Sequence, residues 1–176
     1  LKLMKRGYST DQYLQIIDRL KTARPGISIT SDFIVGFPGE TEEDFEQTMS
    51  LLARCGFDAS FSFVFSPRPG TPAASMKDNV PHEVKLKRLQ RLQKENDAKA
   101  AEISQAMVGT RQRVLVTSMS RKGCGMVAAR TDNNRIVNFE GGPDLLGKMV
   151  EVDITEVRVH TLAGRLVNQD PEKEVR

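Results

Sequence analysis

The chain has 176 residues, a formal net charge of +3, two cysteines and no tryptophan. It contains no apolar run near the ~20 residues that a membrane-spanning helix needs. Two distant cysteines cannot build a disulfide framework. Composition therefore argues against a membrane protein and a disulfide-stapled domain, and we expect a cytoplasmic protein of one or two domains.

The first predicted elements are a helix and a strand. Ser9 and Gln12 have the spacing of a capping box, which predicts a helix that ends near Pro25. Its expected apolar stripe is Tyr13, Ile16, Ile17 and Leu20. The stretch 27–35 alternates and then becomes continuously apolar, which is typical of a strand buried on both faces.

A strand-helix-strand unit follows. Gly36 permits close backbone approach at the strand end, and Thr41 with Asp44 predicts a capped helix that stops at Cys55-Gly56. The expected buried face of this helix is Phe45, Met49 and Leu52. The next strand is expected at 59–65, with Phe61, Phe63 and Phe65 on one side. Such strand ends are where α/β folds place cofactors.

Prolines then interrupt the pattern. They exclude regular structure over 66–80, so we expect a long loop or lid in which Pro67 and Pro69 hold Arg68 rigidly. Asp78 or Asn79 can cap the long helix that follows. Its expected face is Leu86, Leu89, Asn96, Ala100, Ile103 and Met107.

Short β-type runs occupy the rest of the chain and predict a small barrel. They cover 113–117, 125–130, 135–139, 149–155 and 162–168. Asp132, Asn133 and Asn134 tolerate positive φ and predict a hairpin turn. We therefore expect domains at 1–106 and 107–170, with a tail at 171–176.

Basic residues exceed acidic ones after residue 81 but not before it. On the long helix, Lys85, Lys87, Arg88, Arg91 and Lys94 are interleaved with acids, which favours a solvated face. On the barrel, a solvated surface and a surface that binds RNA both remain open. Phe139 is its one aromatic residue, so RNA contacts there would involve phosphates rather than base stacking.

Two segments resemble a known family. DFIVGFPGETEEDF and FSFVFSPRPGTPA resemble the last barrel strands of radical S-adenosylmethionine methylthiotransferases, and the opening LKLMKRGYS fits. The β-rich part resembles a TRAM domain, an OB-like module. The implied fold is α/β: the C-terminal strands and helices of a partial radical SAM (β/α) barrel, followed by a small all-β TRAM barrel.

The resemblance implies S-adenosylmethionine and two 4Fe-4S clusters in a full-length enzyme. Its cluster motif, CxxxCxxC, is not found here, and Cys55 and Cys124 have no neighbouring ligands. His82 and His160 have no partners at catalytic spacing. We expect a C-terminal fragment without catalytic or metal-binding residues, inactive alone, whose partners include the missing N-terminal domain and radical SAM half.

Site residues follow from the same resemblance. Asp32, Ile34 and Gly36 match the strand that lines the cofactor, although Glu40 stands one place late in the family pattern GxIxGxxE. Arg68 is the candidate for a contact with substrate or cofactor. The candidates for tRNA binding are Arg121, Lys122, Arg130 and Arg135.

Three functions remain open. MKRGYS, SFVFSPRPGTPAA and RTDNNRIVNFEG most resemble the branch that methylthiolates isopentenylated adenosine at tRNA position 37, with the anticodon stem-loop as partner. The alternatives are the sister branch that modifies a ribosomal protein and a non-enzymatic RNA-binding module. The sequence leaves the oligomeric state open.

Overall fold

The computed structural model describes residues 1–121 and 123–167. The chain divides into two compact units, Leu1–Ala101 and Glu102–Arg176, which are described separately below. The predicted end of the last strand at Asn168, the end of the second domain at 170 and the tail 171–176 lie outside the described residues. Within the described ranges, no helix is long and apolar enough to cross a membrane.

Unit 1 contains a strand-helix-strand unit preceded by a helix. The elements in chain order are α1 (Thr10–Ala23), β1 (Thr30–Val35), α2 (Glu42–Cys55), β2 (Ala59–Val64) and a 3₁₀ turn (Pro72–Ser75). Helix α3 (His82–Ala106) follows and contributes residues to both units. Strands β1 and β2 pair in parallel, as the crossover predicts.

Both predicted helix starts are confirmed. Ser9 and Gln12 form the full capping box of α1, and Thr41 and Asp44 form that of α2. Gly56 ends α2 in the left-handed conformation with φ 59°. Local hydrogen bonding thus defines these helix ends where the sequence predicts them.

The core of unit 1 lies on one face of the two strands. Phe33 and Val35 pack there with a buried set from the helices and their connections: Leu14, Ile17, Phe45, Met49, Leu52, Cys55, Phe57 and Leu92. The prediction for α2 is confirmed. For α1, Leu14 and Ile17 are buried, whereas Ile16 and Leu20 are exposed.

Three other expectations for unit 1 are wrong. Strand β1 begins at Thr30 because the Ile27 N–H still donates to the Arg24 carbonyl that ends α1. It is not buried on both faces, since Ile34 on its second face is exposed. The 66–80 loop includes a single 3₁₀ turn, because Pro72 is accepted at its first position.

Unit 2 is a closed five-stranded barrel. Its strands are β3 (Arg111–Met119), β4 (Met126–Thr131), β5 (Ile136–Glu140), β6 (Met149–Val157) and β7 (Leu162–Leu166), with a 3₁₀ turn at Pro143–Leu145. They pair in the order β3-β4-β5-β7-β6, and β6 pairs with β3 to close the barrel. All five predicted strands are therefore confirmed, with shifted ends.

Alternation along the strands fills the barrel. Buried aliphatic side chains surround Phe139, which is fully buried: Val114, Val116, Val127, Ala129, Val137, Val150, Val152, Ile154 and Leu162. The predicted hairpin between β4 and β5 is confirmed, and Asn134 takes a φ of 62°. The barrel thus closes around its own apolar core.

Replacement of Phe139 tests how strongly the stability of the barrel depends on this core. We expect Phe139→Ala to lower the free energy of unfolding of the barrel by about 3–5 kcal/mol, because it leaves a cavity. Leu115→Ala is the control, since Leu115 is an exposed strand residue. Urea unfolding followed by circular dichroism measures both; equal losses would contradict the assignment of the core.

Candidate functional site

The predicted cofactor residues of β1 lie on the face of the strand pair that the helices leave open. Asp32 is paired with Phe61 and Ile34 with Phe63. The relative exposures are 41% for Ile34, 71% for Phe61 and 55% for Phe63, and Asp32 is also exposed. This surface, called here the open face, combines one carboxylate with three large apolar side chains.

Gly36 lies just beyond β1 in a buried turn. Its φ is 71°, and a Cβ atom at this position would lie 2.3 Å from Cγ of Lys85. Its N–H donates to Oε2 of Glu40. The need for glycine here therefore comes from the positive φ and is reinforced by the Lys85 side chain, which packs against the turn.

Glu40 and Arg88 form a buried ion pair behind this turn. Arg88 Nη1 donates to Glu40 Oε2 at 2.9 Å and to the Glu40 carbonyl at 3.2 Å, and Nη2 donates to Glu42 Oε2 at 2.8 Å. The side chains of Arg88 and Glu40 are 7% and 9% exposed. One guanidinium thus joins α3 to both a side chain and the backbone of the turn.

Burial and ion pairing oppose each other at Arg88. Burial acts to lower the pKa of the guanidinium, but the hydrogen bonds and charges of Glu42 and Glu40 outweigh it and raise the pKa above the ordinary arginine value. Arg88 also lies over the Phe45 ring, 5.5 Å from its centroid. It therefore remains a permanent cation inside unit 1.

Lys85 and Asn79 hold the same turn from two further directions. Lys85 Nζ donates to Asp78 Oδ2 at 2.5 Å and lies 5.8 Å from the centroid of Phe65. Asn79 Oδ1 accepts from the Gly39 N–H at 2.8 Å. Asn79 thereby binds the end of the 66–80 loop to the turn after β1. Asp78 accepts from Lys85 and from the Val80 N–H, so neither residue forms the predicted helix cap.

The prediction that the basic residues of α3 form a solvated face is wrong at two positions. Lys85 and Arg88 are 4% and 6% exposed and share a buried stripe with Leu92 and Asn96, whereas Leu86 of the predicted face is 40% exposed. The positions 85, 88, 92 and 96 follow a helical period. That spacing was the available signal, but charged residues are not counted in an apolar pattern.

Arg68 lies exposed in the 66–80 loop. Its carbonyl accepts from the Thr71 N–H at 3.2 Å and from the Thr71 hydroxyl at 2.8 Å. Its backbone is therefore held by a hydrogen-bonded turn, while its side chain remains accessible to a ligand. Among the described residues, Arg68 forms no hydrogen bond or ion pair with the predicted cofactor residues Asp32, Ile34 and Gly36.

The barrel residues predicted for RNA differ in their surroundings. Arg121 is exposed at the start of the β3–β4 loop, and Lys122 lies outside the described residues. Arg130 is exposed and donates to the Asn134 carbonyl at 3.1 Å and side chain at 2.9 Å, whereas Arg135 is half-buried and donates to Ser104 Oγ at 2.8 Å. Arg130 thus also supports the β4–β5 hairpin, and Arg135 joins that hairpin to the end of α3.

Aromatic stacking is not offered by the barrel surface, because Phe139 is fully buried. Cys55 is buried and Cys124 is exposed. Within residues 1–121 and 123–167, no three His, Cys, Asp or Glu side chains are placed to hold a metal ion. The donor set of the described chain therefore does not fit an iron-sulfur cluster.

Comparison with family models gives two matches. The model described as the Radical SAM superfamily matches residues 1–52, and that of the TRAM domain matches 105–167. Among solved structures, a conserved protein of Methanococcus maripaludis is 21% identical over 35% of this chain and 80% of its own, with a TM-score of 0.29. The two family matches fall on different units.

Several curated relatives carry one name, tRNA-2-methylthio-N(6)-dimethylallyladenosine synthase. The relative from Nitrosospira multiformis is 59% identical over 97% of this chain, that from Alkalilimnicola ehrlichii 58% over 97%, and that from Yersinia pestis 53% over the whole chain. The chain covers 36%, 38% and 37% of these relatives, a little over a third of their length.

The Lys85–Asp78 pair leads to a pH prediction. Its hydrogen bond lowers the pKa of the exposed Asp78 carboxyl, so NMR titration should place that pKa below the ordinary value of about 3.9. The stabilisation from this pair is present at neutral pH and is lost as the pH falls through the lowered pKa. Lys85→Met should raise the pKa of Asp78, whereas Lys87→Met, an exposed control on α3, should not. An unshifted Asp78 in the parent chain would refute the pairing.

Proposed function

We propose that this chain forms part of a tRNA methylthiotransferase, because its relatives from Nitrosospira multiformis and Alkalilimnicola ehrlichii carry the name tRNA-2-methylthio-N(6)-dimethylallyladenosine synthase. The enzyme would convert N6-isopentenyladenosine at tRNA position 37 to its 2-methylthio derivative. We propose that 1–106 belongs to the radical SAM part, that 107–170 is the TRAM domain and that 171–176 is a tail. A cytoplasmic location is part of the same proposal.

The observation that carries the proposal is the open face. The helices cover one side of β1 and β2, and the other side presents Ile34 and Asp32 beside two phenylalanines. An apolar surface with one nearby carboxylate suits a nucleoside, which needs contact along its ring and a hydrogen-bond acceptor for its ribose. The residues therefore fit part of a site for S-adenosylmethionine.

When bound, S-adenosylmethionine would supply radical chemistry for reaction at C2 of the adenosine. This chain would contribute binding and orientation. Ile34 would provide apolar contact and Asp32 a polar contact. Gly36 would shape the turn beside them, since Glu40 and Lys85 occupy its N–H and the space over its Cα. Arg68 would hold an anionic group of substrate or cofactor. The two iron-sulfur clusters that the family implies would have their ligands in other parts of the full-length enzyme.

The barrel would bind the anticodon stem-loop of tRNA. Arg121 is exposed in the β3–β4 loop, Arg130 is exposed at the hairpin, and no aromatic side chain is available for stacking on the barrel surface. Phosphate contacts would therefore supply most of the affinity. We include Lys122 and Arg135 in this surface because they neighbour these positions in the sequence.

Product analysis tests the enzyme function directly. A full-length protein that contains this segment should form the 2-methylthio nucleoside from isopentenylated tRNA when S-adenosylmethionine, a sulfur source and a reductant are present. Mass spectrometry of digested tRNA detects it. The same assay with a ribosomal-protein substrate tests the sister activity, and modification of protein alone would contradict the proposal.

The same product assay tests the role of Arg68 through the variant Arg68→Ala. We expect product formation to fall by about tenfold or more, because the cation would no longer orient its ligand. Lys77→Ala is the matched control, since Lys77 is an exposed cation near the end of the same loop. Unchanged activity in Arg68→Ala would remove Arg68 from the site.

Salt dependence tests the RNA surface of the 176-residue chain. Arg121→Ala should weaken binding of an isopentenylated anticodon stem-loop equally across loop sequences, and reduce the salt slope by about 0.7–0.9 for one lost phosphate contact. Arg111→Ala is the control, because Asp153 already pairs with Arg111 at 2.8 Å. Fluorescence anisotropy across a salt series measures both. A sequence-selective loss would contradict the phosphate model.

A further inference from the structure

We propose that Arg88 is a positioning residue for S-adenosylmethionine, acting through Glu40 on the turn after β1. The inference rests on the proposed function and deepens it, because it adds α3 to the set of elements that shape the cofactor site. Arg88 itself lies behind the turn and within the buried stripe of α3. It touches Glu40 and Glu42 rather than the open face.

The Glu40 carboxylate is engaged within the turn by two donors. Its Oε2 accepts from the Gly36 N–H and from Arg88 Nη1. A side chain that is 9% exposed and engaged in this way is part of the turn rather than a free ligand. Glu40 therefore stabilises the backbone at the end of β1, and Arg88 compensates its buried charge.

Other groups of α3 and of the 66–80 loop also contact the turn. Lys85 fills the space over Gly36, Asn79 accepts from Gly39, and Arg88 also bonds the Glu40 carbonyl. The turn 36–40 is thus held at both ends and over its surface. These contacts select one conformation for Gly36 and Gly39, which as glycines have many conformations available.

The turn directly follows the strand whose side chains form part of the open face. Gly36 follows Val35 directly, and Ile34 is the last residue of β1 whose side chain lies on that face. A displacement of the turn would move the end of the strand that presents Ile34. Misplacement of a group by about 1 Å can lower an enzymatic rate on the order of 10²-fold. A displaced Ile34 would in the same way lose its apolar contact, so the ion pair would influence cofactor affinity without touching the cofactor.

The test compares two arginines on one helix. Arg91 lies three residues further along α3 and also pairs with a residue of α2, Glu46. The side chains of Arg91 and Glu46 are about half exposed, at 49% and 48%. In a full-length protein that contains this segment, loaded with its clusters and kept without reductant, equilibrium dialysis gives the Kd for S-adenosylmethionine. We expect Arg88→Met to raise this Kd by about 10- to 100-fold and Arg91→Met to change it less than about twofold.

A second readout separates positioning from loss of folding. Hydrogen exchange of the 36–41 amides should accelerate in Arg88→Met and not in Arg91→Met, while affinity for the tRNA stem-loop stays at the parent value. Glu40→Gln provides a milder variant, since an amide oxygen can still accept from Gly36. We expect it to raise the Kd for S-adenosylmethionine by less than Arg88→Met does.

The outcomes are distinct. Equal Kd values in the Arg88 and Arg91 variants, with a parent that binds S-adenosylmethionine, would overturn this inference and leave the proposed function standing. A loaded parent that binds no S-adenosylmethionine would overturn both. Arg88→Lys should recover part of the affinity, because lysine restores the charge but not the forked geometry; no recovery relative to Arg88→Met would also count against positioning by this pair.

Discussion

The ion pair between Arg88 and Glu40 is the constraint on which the turn at the end of β1 depends. Two buried charges are costly unless their hydrogen bonds are satisfied, and here the guanidinium reaches two carboxylates and a backbone carbonyl. Because Glu40 also accepts from Gly36, a bond made by a helix 48 residues further along the chain determines the backbone conformation at the end of β1.

The two units satisfy their strands in different ways. The barrel closes on itself, so every strand has two neighbours and the aliphatic residues around Phe139 are fully enclosed. The pair β1 and β2 has helices on one face only, and its second face leaves Ile34, Phe61 and Phe63 exposed. Unit 2 therefore carries its charged groups around a closed core, whereas unit 1 leaves an apolar surface exposed.

Local signals allowed much of this fold to be predicted. Caps at Ser9 and Thr41 depend on residues three positions apart, and the barrel strands follow from alternation between turn residues. The candidate residues Asp32 and Ile34 could be placed on one strand face from their spacing alone. The burial of Lys85 and Arg88 could not be predicted in this way, because their partners Gly36 and Glu40 lie far away in sequence and a pattern of apolar residues treats a charge as exposed.

The most direct measurement of the central claim is a crystal structure of a full-length protein that contains this segment, with S-adenosylmethionine bound. The account predicts that the nucleoside lies against Ile34 and near Asp32, while Glu40 remains bonded to Gly36 and Arg88. A cofactor bound elsewhere, or one that contacts Glu40 directly in place of Arg88, would contradict it.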